Sequence, residues 1–168
     1  FFGVTSLSQV NLVVPVAFRI SSVSKTSKEC IAIWLRWGEI QAQSIETKPF
    51  NRSGLISKLT LLRSLSAGNI EKSSEKVVEV CADNGVAVTY IPHLKNAPVQ
   101  GATRWLTPEK ALIQLSLRHG CNDIFWFTLF HEIGHILKHG KKEAFLDLKG
   151  DSGRSVSEQE KEADRFAT

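Results

Sequence analysis

Apolar residues recur at helical spacing in two early stretches. Residues 30–45, CIAIWLRWGEIQAQSI, form the first and residues 51–65 the second, which ends near Gly68. A third amphipathic run over residues 74–82 stops at Asn84 and Gly85. The pattern changes at Val86, where VAVTYI is β-branched, short and closed by Pro92, as a strand would be. Residues 99–106 and 111–117 predict two further strands, and Thr107-Pro108-Glu109-Lys110 between them has turn composition, so a hairpin is expected. The string FWFTLFHEIGHILKH then predicts a strongly apolar helix, capped by Asn122 or Asp123 and ended by Gly140. Residues 141–160, KKEAFLDLKGDSGRSVSEQE, read as a polar loop running into a last helix from Ser157.

These elements predict an α+β fold with a small antiparallel or mixed sheet of about three strands packed on helices. Residues 1–72 read as a helical N-terminal extension and residues 73–168 as the core. The 168 residues, 42% hydrophobic and 23% charged, suffice for one real core. The formal charge of +4 is spread among acids and does not argue for nucleic-acid binding. The apolar run over residues 12–18 is far shorter than the roughly 20 residues of a membrane span and is interrupted by Pro15, so no membrane partner is expected. Cys30, Cys81 and Cys121 are odd in number and form no CxxC pair, so neither a disulfide framework nor a thiolate zinc site is suggested, and a reducing cytoplasm is the simplest reading. Methionine is missing even at position 1, and Arg165 to Thr168 stop inside a helical pattern. The chain therefore reads as an internal piece of a longer polypeptide.

Chemistry concentrates in HEIGH. Residues i and i+4 of a helix lie about 40° apart and roughly 6 Å along its axis, so His131 and His135 can hold one ion from one face. Glu132 is turned about 100° from His131, beside such an ion. Two neutral imidazoles and an adjacent carboxylate are what a zinc hydrolase needs, yet a bare HExxH also arises by chance. His139 lies about 12 Å from His131 along the axis, too far to share the ion, and reads as a polar residue of the last turn. In the final helix, Glu160 and Asp164 border the face formed by Val156, Ala163 and Ala167, whereas Glu158 and Glu162 point to the opposite side. Glu160 is thus the candidate third ligand, and Asp164 the acceptor that fixes a ligating histidine's tautomer.

The strings FTLFHEIGHILKHG and EQEKEADRFA resemble the ImmA/IrrE family of zinc metallopeptidase-like proteins, gluzincins in which an ExxxD helix follows the HExxH helix. FFGV, AFRIS, AIWLRWGEIQAQSI and GATRWLTPEKALIQLSL are similar to members fused behind a helix-turn-helix domain in antitoxin-type regulators. The resemblance implies a minimal gluzincin core, one Zn2+ held by His131, His135 and Glu160, and Glu132 as general base. It also implies site-specific cleavage of a regulatory protein such as a repressor. DNA contact is expected only through a helix-turn-helix domain that this chain lacks.

An oxyanion donor is not singled out by the residues: Tyr90, His93, Arg104 and His119 are candidates, each equally readable as an ordinary surface or strand residue. The strand over residues 99–106 is the better candidate for an edge that accepts an extended peptide. The competing expectation is a regulatory module that binds zinc and a partner protein but cleaves nothing. Trp34 and Trp37 read as core or as a homodimer contact.

Overall fold

The computed structural model of the chain describes residues 27–116, 122–141, 145–148 and 158–168. The apolar run at residues 12–18, Cys121 and His119 lie outside them. The first helix, α1 (Lys28–Gln43), starts where the Ser27 side chain accepts from the Cys30 N–H. The run over residues 51–65 forms two short helices, α2 (Arg52–Ser57) and α3 (Leu59–Leu65), broken at Lys58. Helix α4 (Ile70–Ala82) begins four residues ahead of the expected start at Ser74, because Asn69 caps it by accepting from the Glu71 N–H. Gly85, in the left-handed region at φ 81°, turns the chain into the sheet.

Strands β1 (Val86–Ile91), β2 (Val99–Thr107) and β3 (Lys110–Ser116) fall where the alternation predicts them. Strands β2 and β3 form the antiparallel hairpin, and β1 pairs parallel with β3. Helix α5 (Asn122–Lys138) carries HEIGH, and α6 (Glu158–Ala167) closes the described chain. The stretch expected to be loop contributes a fourth strand, β4 (Phe145–Leu148), so the sheet order is β1-β3-β2-β4. Because β2 is bonded on one side to β3 and on the other to β4, it is not the free edge that the sequence suggested.

Alternation along the strands sends each residue set to its own layer. Val86, Val88, Ala111, Ile113 and Leu115 pack with Leu55, Leu62, Val77, Cys81 and the apolar side of α5 in the main core. Ile91, Val99 and Ala102 meet Ile31, Trp34 and Leu35 of α1 on the other face. Helix α1 crosses the sheet closely at Gly38, where the Gln114 side chain runs past to donate to the Trp34 carbonyl at 3.2 Å. Trp34 is therefore core, while Trp37 is only partly buried. Among the described residues no helix is long and apolar enough to cross a membrane.

A buried thiol of the core and a partly buried phenol packed against it make alkaline stability predictable. Burial pushes the Cys81 thiol up to about 12, and burial raises Tyr90 as well, whose hydroxyl donates to the Ser74 carbonyl at 3.0 Å. The folded state holds the thiol neutral, whereas the unfolded chain ionises it from its ordinary 9.0. The contribution is fully present below pH 9 and is lost as pH rises towards 12, at about 1.4 kcal/mol per pH unit while only the unfolded thiol is ionised. Urea midpoints measured from pH 8 to 11 should fall, and Cys81→Val should flatten that fall.

Candidate metal centre

Helix α5 is fixed from three directions. Trp126, Leu129, Phe130, Ile133, Ile136 and Leu137 enter the main core. Arg52 donates to the Leu137 carbonyl through Nε (3.3 Å) and Nη2 (3.1 Å), satisfying the end of the helix. From the sheet, the Thr103 hydroxyl donates to the Glu132 carbonyl at 3.3 Å. Asn122 stands at the start of the helix and accepts from the Trp126 indole at 2.8 Å.

Helix α6 approaches α5 at Gly134, where an added Cβ would lie 3.2 Å from the Ala163 Cα and 3.3 Å from Phe166 Cδ1. Ala163 and Ala167 are buried at this contact, and Arg63 donates to the Phe166 carbonyl at 2.9 Å while lying over the Phe130 ring. The close approach delivers Glu160 and Asp164 to the two histidines. His131 Nε2 and His135 Nε2 stand 3.0 Å apart, and Glu160 Oε2 lies 3.1 Å from the first and 3.5 Å from the second. On the far side of its ring, His131 Nδ1 faces Asp164 Oδ1 at 2.9 Å.

The donor set fits a metal ion. With Nδ1–H of His131 donated to Asp164, the Nε2 atom presents a lone pair, and it meets a second imidazole nitrogen and a carboxylate oxygen. Three such acceptors repel one another unless a cation or extra protons lie between them. In a tetrahedral site with bonds of about 2.0–2.1 Å, ligand atoms sit roughly 3.3–3.4 Å apart, close to the spacings found here. His131, His135 and Glu160 could therefore hold a metal ion, and they are the group of this kind among the described residues.

Protonation favours the same conclusion. Burial alone would raise the Glu160 carboxyl, but where protons on the imidazole nitrogens take the place of a cation, hydrogen bonds from His131 and His135 outweigh it and hold the group at about 2. Burial lowers His135 below its ordinary value, against the pull of Glu160. At neutral pH the acid is charged and His135 is neutral, which are the forms that ligate. His135 Nδ1 is buried with no hydrogen-bond partner among the described residues, so among them the outer support given to His131 by Asp164 is not repeated at the second histidine.

Glu132 is fully buried beside this group. Its carboxylate occupies the space that a side chain at Gly101 of β2 would need; a Cβ there would collide with Oε1 and stand 2.7 Å from Thr128 Cγ2. Two further residues join the site that sequence reasoning did not assign to it. His139 donates from Nε2 to the Gln159 carbonyl at 3.1 Å, tying the end of α5 to the residue before Glu160. Phe145 of β4 stacks on the His135 ring, with centroids 3.9 Å apart and planes 16° apart.

Tyr90 and Arg104 are not brought to this group. The Tyr90 hydroxyl is engaged by α4, and Arg104 reaches the opposite face of the sheet, where its Nη2 donates to the Leu35 carbonyl at 3.0 Å and pairs with Glu39 at 3.1 Å. His93 follows β1 and is exposed. Glu158 is exposed and pairs with Lys161 and Arg165, as its wheel position predicts, and Glu162 is exposed too. Comparison of the chain with protein families, with curated proteins and with solved structures finds no match.

Proposed function

We propose that the chain is a zinc-dependent peptidase domain of a cytoplasmic transcriptional regulator or antitoxin-type protein, hydrolysing a peptide bond in a specific regulatory protein such as a repressor. The carrying observation is the convergence of His131 Nε2, His135 Nε2 and Glu160 Oε2 within 3.0–3.5 Å of one another. Two imidazoles with one carboxylate match the three-ligand set of zinc hydrolases, which keep the fourth position for water. The HEIGH and ExxxD strings resemble the ImmA/IrrE family in the same residues.

A bound zinc ion would supply Lewis acidity and lower the pKa of a water to about 7. The protein's part is positional and protolytic. Asp164 holds His131 in the tautomer that offers Nε2, and Glu160 supplies the negative charge. Glu132 accepts the proton of the attacking water and returns it to the leaving amine. Wild-type chain reconstituted with zinc should bind one equivalent and cleave its partner protein, and chelation should abolish cleavage until zinc is restored. One equivalent of zinc with no cleavage of any regulatory partner would favour the second reading, a zinc-binding interaction module. The burial of His131, Glu132 and His135, at 4%, 0% and 2% exposure, suits that second reading.

Gly101 offers a smaller test. In Gly101→Ala the new methyl collides with the Glu132 carboxylate, and none of the three heavy atoms nearest to it belongs to a candidate ligand. Zinc content should stay at one equivalent while turnover falls about a hundredfold, the cost of misplacing a reacting group by about 1 Å.

A further inference from the structure

Glu132, His131 and His135 are buried, and Phe145 of β4 lies flat on the His135 ring, so a peptide reaches that ring only if β4 gives way. Helix α6 cannot move off without taking Glu160 with it. Strand β4 contributes none of the three candidate ligands, so its departure leaves them whole. It is four residues long and pairs antiparallel with β2 in the register Val99↔Leu148, Gly101↔Asp147, Ala102↔Leu146 and Thr103↔Phe145.

That track runs over the chemistry. Gly101, opposite Asp147, is the residue whose missing side chain leaves room for the Glu132 carboxylate. Thr103, opposite Phe145, bonds the Glu132 carbonyl. At the end of the track, Phe145 lays its ring flat on His135 and lies 5.2 Å from His139, centroid to centroid. Main-chain pairing with a strand edge plus one side-chain anchor is how an extended peptide is recognised by a sheet.

We infer that β4 holds the substrate's seat: the site takes an extended peptide antiparallel to residues 99–103 of β2, with an aromatic side chain stacked on His135 in the place of Phe145. This deepens the peptidase reading and rests on it for the identity of the occupant as substrate. The tethered strand competes at an effective concentration of order millimolar, so a free peptide meets an occupied seat in the resting protein. Partner proteins are then selected by two features, a segment able to unfold into a strand and an aromatic residue within it.

The test is a binding measurement on the zinc-loaded full chain, independent of turnover. Phe-Leu-Asp-Leu amide carrying fluorescein on its N-terminus through a Gly-Gly spacer is titrated into wild type and into Leu146→Pro/Asp147→Pro. Successive prolines remove an N–H from whichever parity of β4 bonds β2. The double variant should bind the peptide at least tenfold more tightly than wild type. The analogue with Ala in place of Phe should bind it about fivefold more weakly than the parent peptide, as loss of a ring contact predicts. Phe145→Ala, which vacates only the ring's place, should also gain affinity for the Phe peptide, and circular dichroism checks that both variants fold. Equal affinity of wild type and both variants, or equal affinity for the Phe and Ala peptides, overturns the inference. Zinc content of the same samples reports separately on the metal reading: zinc bound without a gain in peptide affinity sinks the seat alone.

Discussion

Glu132→Gln should cut hydrolysis of the partner protein by roughly a hundred- to ten-thousand-fold, the range contributed by a positioned general base, while zinc content stays at one equivalent. The substitution keeps the shape of the side chain, so the room beside Gly101 remains filled. It also keeps the backbone carbonyl that accepts from Thr103. Folding should survive for a further reason: Glu132 is fully buried, and replacing a buried carboxylate by a neutral isostere relieves desolvation. Thermal unfolding and metal analysis of the variant separate the outcomes. Turnover within a few-fold of wild type would remove Glu132 from the chemistry. Zinc lost together with turnover would make it a structural residue of the centre. A regulatory effect that survives the substitution undiminished would favour the interaction module over the enzyme.

The residues that could hold the ion were legible because each obeys a local rule. The i, i+4 spacing fixes His131 and His135 to one face whatever the rest of the chain does. The wheel position of Glu160 against Ala163 and Ala167 follows from the same periodicity, and those two alanines are buried against α5. What escaped depends on partners distant in the chain. Phe145-Leu146-Asp147-Leu148 sits between polar, Gly/Ser-rich stretches and has no strong strand signal of its own; its strand character is conferred by the edge of β2. His139 was read as a residue of the last turn of α5, and its partner is a carbonyl of another helix, twenty positions away. Arg104 and Tyr90 were candidates by side-chain chemistry alone, and alternation along the strand together with the packing of α1 and α4 sends them elsewhere. The break at Lys58 was hidden because apolar spacing continues across it from Leu55 to Leu62, both in the main core.

Glu160→Ala should weaken zinc binding by two to four powers of ten, and Asp164→Asn by only one to two. The larger figure follows if each of three ligands carries about a third of the roughly 10–16 kcal/mol released when zinc is bound in a protein site, or ~3–5 kcal/mol. The smaller figure is the usual effect of altering the acceptor behind a ligating histidine, about 10- to 100-fold. Geometry explains the order. Glu160 Oε2 is within 3.5 Å of both Nε2 atoms, whereas Asp164 touches only the outer nitrogen of His131. Charge separates the two roles as well. Alanine at 160 removes the carboxylate, leaving two imidazole nitrogens facing one another across 3.0 Å with no anion beside them. Asparagine at 164 can still accept the Nδ1 proton through its carbonyl oxygen. Competition titrations with a chromophoric chelator give both affinities, and the far-ultraviolet spectrum of the zinc-free variants checks that α6 remains docked at Gly134. Equal losses for the two variants would mean that Glu160 is not a ligand, and the peptidase reading would fall with it.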